Sequence, residues 1–287
     1  MRREQEIRRR LRSLALLGEA VGAMKSLSAH HLRETRGAVA PARVYREGIE
    51  RFLRWTGARL PGGDGAAGLL VIGAELGLCG AYGTHLVEAA VLRRAELGPG
   101  YTLCVGRRAA TLLARRGVPV DQGYGAPASA RGIPDLLLRL SQDILTRYVA
   151  SRLSRFDVIS SRFEGVGVDR PTATELLPFQ AEPAGGARAA RYVSPERLSA
   201  VAGREFLYMT LYDLLLDALA SEHGARLVAT QAAERWLDAR EESLRRRLGA
   251  MRREASTQET LEIAAGARAR GRAGPATRPF GSSSWRR

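Results

Sequence analysis

The sequence predicts an α/β fold of unusual plan: a long antiparallel coiled coil of the N- and C-terminal helices, with an α/β domain inserted between them. Three observations predict it. From Arg204 to Ala269 about 66 residues pass without a proline, and Gly224, Gly249 and Gly266 are the sole glycines among them. An unbroken helix of that length measures roughly 100 Å, several times a small domain. The first 56 residues show the same helical periodicity, and the chain between changes to short apolar runs alternating with helical segments.

The C-terminal helix is expected over 204–269. Leu237, Leu244, Leu248, Met251 and Ala255 keep the spacing of a seam that faces a partner helix, and Arg and Glu fill the positions around them. The N-terminal helix, over 1–56, offers Ile7, Leu11, Leu14 and Val21 as its own seam, with Leu17, Met24 and Leu27 beside it. Gly18, Gly22 and Ala29 read as points of close helix approach, since glycine inside a helix costs ~1 kcal/mol against alanine. Pro41 is expected to loosen or kink the helix. The two helices flank everything else, so pairing them makes them antiparallel.

Between them, Gly57 to Gly68 reads as a linker, rich in Gly and Pro. The inserted Rossmann-like α/β domain is expected over 68–190. Its strands are Gly68–Gly73, Tyr101–Gly106, Val118–Val120, Phe156–Ser160 and an edge strand over Thr172–Phe179. Its helices are Thr84–Leu97, Arg107–Arg116 and Ile133–Leu153. Ala181–Ala190 reads as a surface loop, and Ser194-Pro195-Glu196 as a short helix start before the terminal helix. Residues 270–287 read as a disordered basic tail.

Composition narrows the function. Net charge is +15, with arginine supplying all but one of 45 basic residues; the exception is Lys25. Such a balance favours acidic partners: nucleic acid, anionic membrane or an acidic protein surface. Lys25 stands out as a place where a compact ammonium on a flexible stem is wanted. Cys79 and Cys104 lie in apolar surroundings and read as free thiols. No apolar run approaches the ~20 residues that span a bilayer.

Chemistry is sparse. Leu76-Gly77-Leu78-Cys79-Gly80-Ala81-Tyr82-Gly83 sits between a strand and a helix, where dinucleotide folds cradle phosphate. Its glycines are spaced GxxGxxG, and Val105-Gly106-Arg107 lacks the acidic residue that holds a ribose. The stretch reads first as a structural turn, and second as a phosphorylated-dinucleotide site using Arg107 and Arg108. No GxxxxGK[ST] loop occurs. His30, His31, His85 and His223 have no cysteine at metal-ligand spacing. No nucleophile stands beside a recognisable base, so no cofactor, metal or catalytic residue is expected. A basic coiled-coil nucleic-acid-binding protein is the alternative, and interleaved Arg and Glu with 6% aromatics argue against it.

Taken in order, Glu6–Ser13 with Ala23-Met24-Lys25, Gly77-Leu78-Cys79-Gly80, Ser221–Ala229, and Thr257–Ile263 with Gly266-Ala267 resemble the gamma subunit of rotary F-type ATP synthases. The likeness covers nearly the whole chain to Arg270. Leu76 stands where the family has arginine and Glu75 where it has aspartate, which implies a divergent branch. The resemblance implies a non-catalytic central shaft at the cytoplasmic face of a bacterial membrane. Its implied partners are the catalytic alpha/beta hexamer, the epsilon subunit and the membrane c-ring, with no nucleic acid and membrane contact through the complex. It further implies subunit contacts at Met24 and Lys25, facing an acidic helix-turn of the catalytic subunit. Arg252, Thr257, Gln258 and Glu259 are implied to meet the hexamer's catch loops. The turn carrying Gly77, Cys79 and Gly80 is implied to lie at the foot, toward ring and epsilon.

Overall fold

The computed structural model describes residues 2–56, 59–180 and 194–272. By contact the chain divides into two units, Met1–Glu19 with Arg235–Arg287, and Ala20–Glu234.

Helix α1 is Arg2–Thr56 and helix α5 is Pro195–Arg272. Between them come β1 (Arg59–Leu60), β2 (Gly65–Ile72), α2 (Tyr82–Leu97), β3 (Thr102–Val105), α3 (Arg107–Arg115) and β4 (Gln122–Tyr124). A 3₁₀ turn over Ala130–Gly132 leads into α4 (Ile133–Ala150), followed by β5 (Leu153–Phe163), β6 (Asp169–Leu177) and β7 (Phe179–Gln180).

In the larger unit the main sheet has the order β4-β3-β2-β5-β6, parallel except for the antiparallel edge strand β6. Central parallel strands must be apolar on both faces, and β2 is: Leu69 and Val71 pack with α2 and α3, while Leu70 and Ile72 join the opposite layer. That second layer unites α4 (Leu137, Leu140, Ile144) with α1 (Val39, Leu53) and α5 (Leu207, Leu211, Leu215). The terminal helices thus share with α4 the covering of one face of the sheet, and they are not merely appended to it.

The helices run antiparallel in each unit. Glu4 pairs with Arg252 at 3.1 Å in the smaller one. In the larger, Lys25 pairs with Glu234 at 2.6 Å and Arg43 with Asp217 at 2.8 Å, and Tyr45 donates to Glu205 at 3.2 Å. Leu237 and Leu244 are the buried members of the expected seam, whereas Ala255 is exposed.

Several expectations are corrected. The terminal helix starts at Pro195 rather than Arg204: the Ser194 hydroxyl accepts the Arg197 N–H at 3.3 Å, a capping bond, and Pro195 suits the first helical position. Gly203, inside the added stretch of helix, is a contact point, because a Cβ there would come within 2.8 Å of the Phe179 ring. Residues 270–272 are helical; the rest of the expected tail, and the expected loop over Ala181–Ala190, lie outside the described residues. Gly65 to Gly68 belong to β2 and not to a linker, where a Cβ on Gly68 would collide with the Phe156 ring. The strand expected at Val118–Val120 falls at Gln122–Tyr124, since the Val118 N–H is still bonded to Leu113 O and Pro119 has no donor. Helix α4 stops at Ala150, and β5 already begins at Leu153. Close helix approach does not explain Gly18, which has nothing within 4 Å of a built Cβ; at Gly22 the nearest atom is Glu234 Oε1, at 3.7 Å. Leu17 and Leu27 are about half exposed. Helix α1 is continuous through Pro41.

Candidate functional site

The stretch after β2 is a tight turn, and the sequence around it shows why. Gly73 leaves the strand where a Cβ would press on Ala109 and Leu86, so the chain passes closely over α2 and α3. Glu75 then takes the position at the carboxyl ends of parallel strands where dinucleotide folds hold phosphate. Its carboxylate accepts the backbone N–H groups of Arg107 and Ala126, each at 3.0 Å, and pairs with the Arg107 guanidinium. Burial opposes its ionisation, yet these hydrogen bonds hold the carboxyl below the usual range. The protein's own carboxylate satisfies the donors that a phosphate would need. The first reading of this stretch, a structural turn, matches that geometry.

The turn itself is held from the other side. Leu78 and Gly80 both adopt left-handed backbone angles, φ 61° and 57°. Arg226, on α5, reaches across: its Nε donates to Gly77 O at 3.2 Å and its Nη2 to Cys79 Sγ at 3.1 Å. The same guanidinium pairs with Glu222, one turn back on α5, and faces His223 Nδ1 at 3.3 Å. Burial lifts the Glu222 carboxyl, and the charge of that carboxylate keeps Arg226 firmly protonated although burial opposes it. Burial first, then the Arg226 and His31 charges, push the His223 imidazole down to about 4. His223 stacks on His31 of α1 with ring centroids 5.2 Å apart, and its Nε2 lies 3.2 Å from Ala128 O. One buried cluster thus joins α1, the turn, the loop before α4, and α5.

The expected contact residues fall into two sets. Met24 lines a cavity of about 80 Å³ with His31, Leu76, His223 and Arg226, so it shares a site with the turn. Lys25 points to Glu234, and both side chains keep part of their surface in solvent. Gly77 and Gly80 are exposed and Leu76 and Leu78 stand 51% and 53% exposed, but Cys79 is turned inward, 7% exposed. The apolar thiol packs under Arg226, and burial pushes its pKa up to about 11. Cys79 therefore anchors the turn from within, in the apolar surroundings expected of it, while Gly77 and Gly80 stand on the outer face. Cys104, also free, is pushed to about 12 inside the sheet.

Arg252, Thr257, Gln258 and Glu259 belong to the smaller unit. Every residue from Arg252 to Ala265 is exposed, Leu261 and Ile263 among them. Thr257 donates to Arg253 O at 2.9 Å and Gln258 to Glu262 at 3.4 Å, both within α5. No cluster of metal-ligating side chains occurs among the described residues.

Sequence reasoning gave Glu75, Glu222 and Arg226 no role. A signal was present: Glu222 and Arg226 stand four apart within the apolar stretch from Leu214 to Val228, a place where charge survives only when paired.

A sequence profile described as ATP synthase matches residues 3–269. The ATP synthase gamma chain of Moorella thermoacetica is 29% identical over 282 residues, covering 92% of this chain and 97% of that one. The gamma chain of Geotalea daltonii is 27% identical over 280 residues, covering 92% and 97%. Among solved structures, a chain of the Euglena gracilis mitochondrial ATP synthase, OSCP/F1/c-ring, rotational state 3, superposes with TM-score 0.67 at 15% identity, covering 98% of this chain and 99% of that one. A chain of the Tetrahymena thermophila mitochondrial ATP synthase central stalk/c-ring gives 0.59 at 17%, covering 75% and 99%. At these identities the structural likeness is one of fold.

Proposed function

The chain belongs to the gamma-chain family of ATP synthases, and we propose that it is the central rotary shaft of an F-type enzyme, coupling ion flow through the membrane ring to ATP synthesis and hydrolysis in the catalytic hexamer. The observation that carries this reading is the antiparallel pairing of the terminal helices, held by bridges such as Glu4–Arg252 and Lys25–Glu234.

A shaft works by touching its neighbours unequally, so that each orientation favours a different conformation of each neighbour. The turn supports that role, because it breaks the outline of a plain helix pair. In this reading the chain carries no catalytic residue. It is a peripheral part of a membrane complex, placed at the cytoplasmic face of a bacterial membrane. No helix among the described residues is long and apolar enough to cross a membrane. The partners are the alpha/beta hexamer, epsilon and the c-ring. Met24 and Lys25 meet the catalytic subunit, the turn carrying Gly77, Cys79 and Gly80 faces ring and epsilon, and Arg252, Thr257, Gln258 and Glu259 meet the hexamer's catch loops. We take α1 and α5 as the coiled-coil arms around an inserted α/β domain whose main sheet begins at Gly65.

The nucleic-acid alternative has little support. Arginines of the helical arms pair with glutamates one turn away: Arg8 with Glu4, Arg10 with Glu6, Arg245 with Glu241, and Arg246 with Glu242. A phosphate-tracking stripe would leave them free. Native purification of the tagged chain tests the proposal. Recovery with alpha, beta, epsilon and c subunits is expected, and recovery of the chain alone, or with nucleic acid, overturns it.

A further inference from the structure

A pair of helices is a smooth rod, and its rotation changes little for a neighbour unless something projects from it at a fixed angle. Leu76 and Leu78 project from the Glu75–Gly80 turn, each about half exposed. A turn with left-handed Leu78 has no strong preference of its own to stay so. Two anchors hold its ends: Glu75 on the N–H groups of Arg107 and Ala126, and, beyond the turn, the Tyr82 hydroxyl donating to Ala218 O of α5 at 3.3 Å. The middle depends on Arg226. Its planar fork grips both directions at once, Glu222 on its own helix and Gly77 and Cys79 on the turn.

We infer that Arg226 is a positioning residue for torque transmission: through Gly77 and Cys79 it fixes the turn at one angle about helix α5, so that the ledge of Leu76 and Leu78 rotates with the helix rather than swinging on it. This rests on the rotary reading above. A guanidinium that stabilised the fold alone would need Glu222 and no contact with the turn. Here its side chain is 3% exposed and two of its donors leave its own helix for the turn. Lysine in its place keeps the charge facing Glu222 but, as a single compact ammonium, cannot span both partners.

The test is R226K in the assembled complex, with two readouts. Cys79 reports on the turn and Cys104, inside the sheet, reports on the fold of the same molecule. Alkylation of Cys79 by N-ethylmaleimide is expected to speed up roughly tenfold, as loss of the turn's hydrogen bonds raises its open population, with Cys104 unchanged. Ions pumped per ATP hydrolysed in vesicles are expected to fall by about half or more. The inference is overturned if Cys79 and the pumping ratio stay as in wild type, if both thiols speed up together, or if Cys79 speeds up with no change in pumping. Should R226K fail to assemble, amide exchange in the wild-type complex decides. Protection of Gly77–Gly80 equal to that of α5 around Arg226 supports the inference, and exchange a thousandfold faster overturns it. Failure of the rotary reading looks different: the wild-type chain then does not join a pumping complex at all.

Discussion

Lys25 Nζ lies 2.6 Å from Glu234 Oε2, so the one lysine of the chain bridges α1 and α5. Both side chains are partly exposed, and such a pair contributes well under ~1 kcal/mol to stability. K25A should therefore leave the yield of assembled complex unchanged. If Lys25 also meets the catalytic subunit, ions pumped per ATP should fall about twofold, the effect of losing a fraction of a kcal/mol at one contact. Vesicle pumping at the wild-type ratio would remove that role.

Leu244 is 3% exposed in the helix pair, and Leu248 is half-buried. An aspartate at Leu244 forfeits the leucine's packing and draws a charge into the seam, so L244D should destabilise the chain by about 2 kcal/mol or more, even with Arg9, Arg10 and Arg240 around the same groove. L248D, with access to water, should cost roughly 1 kcal/mol. Denaturant unfolding of the two variants checks the order. Equal, small effects would mean that Leu244 does not face the other helix.

Gly18 has open space around it and sits inside a helix. G18A should then stabilise the isolated chain by up to ~1 kcal/mol, the intrinsic difference between the two residues. A loss of stability in urea would restore the close-approach reading that its sequence position suggests. Normal stability of the chain with poor assembly would locate the close neighbour on another subunit.

His223 is buried and its imidazole is pushed down to about 4. An unfolded histidine titrates near ~6.5, so the unfolded chain binds a proton that the folded one refuses. Its contribution is complete above the unfolded pKa and is lost as pH falls from about 6.5 to about 4, by on the order of 3 kcal/mol. The difference between wild type and H223Q isolates it, because Glu222 titrates in both. Parallel stability profiles from pH 7 to pH 4 would show that His223 gains its proton as readily in the folded chain.

The apolar runs made β2, β3 and β5 readable, since central parallel strands have little choice of composition. The long helices were readable for a similar reason: proline is absent from 204–269 and the periodicity persists. β4 was not, because Gln122-Gly123-Tyr124 carries no strand signature and owes its pairing to β3 beside it. Gly65 and Gly68 look like linker residues until Phe156 and the backbone of Ser151 and Arg152 stand against them. The start at Pro195 was visible as a cap, but the sequence did not show that it joins the terminal helix, since the contact of Gly203 with Phe179 exists only in three dimensions. Within the site, the turn was legible and its fastening was not. Arg226 and Gly77 are distant in sequence, and neither composition nor periodicity reports a tertiary hydrogen bond. Cys79 was placed in the contact turn by resemblance, and burial under Arg226 decided its direction.

Glu4 pairs with Arg252, every α5 residue from there to Ala265 is exposed, and the helix runs on to Arg272. That stretch is roughly 30 Å of helix, with Leu261 and Ile263 bare. A single helix of this size holds its shape in water only marginally. Seating it in a socket is then partly a coil-to-helix transition, so tightness of grip and rigidity of the tip rise and fall together. Helix-weakening substitutions there would loosen the joint without touching a single contact atom.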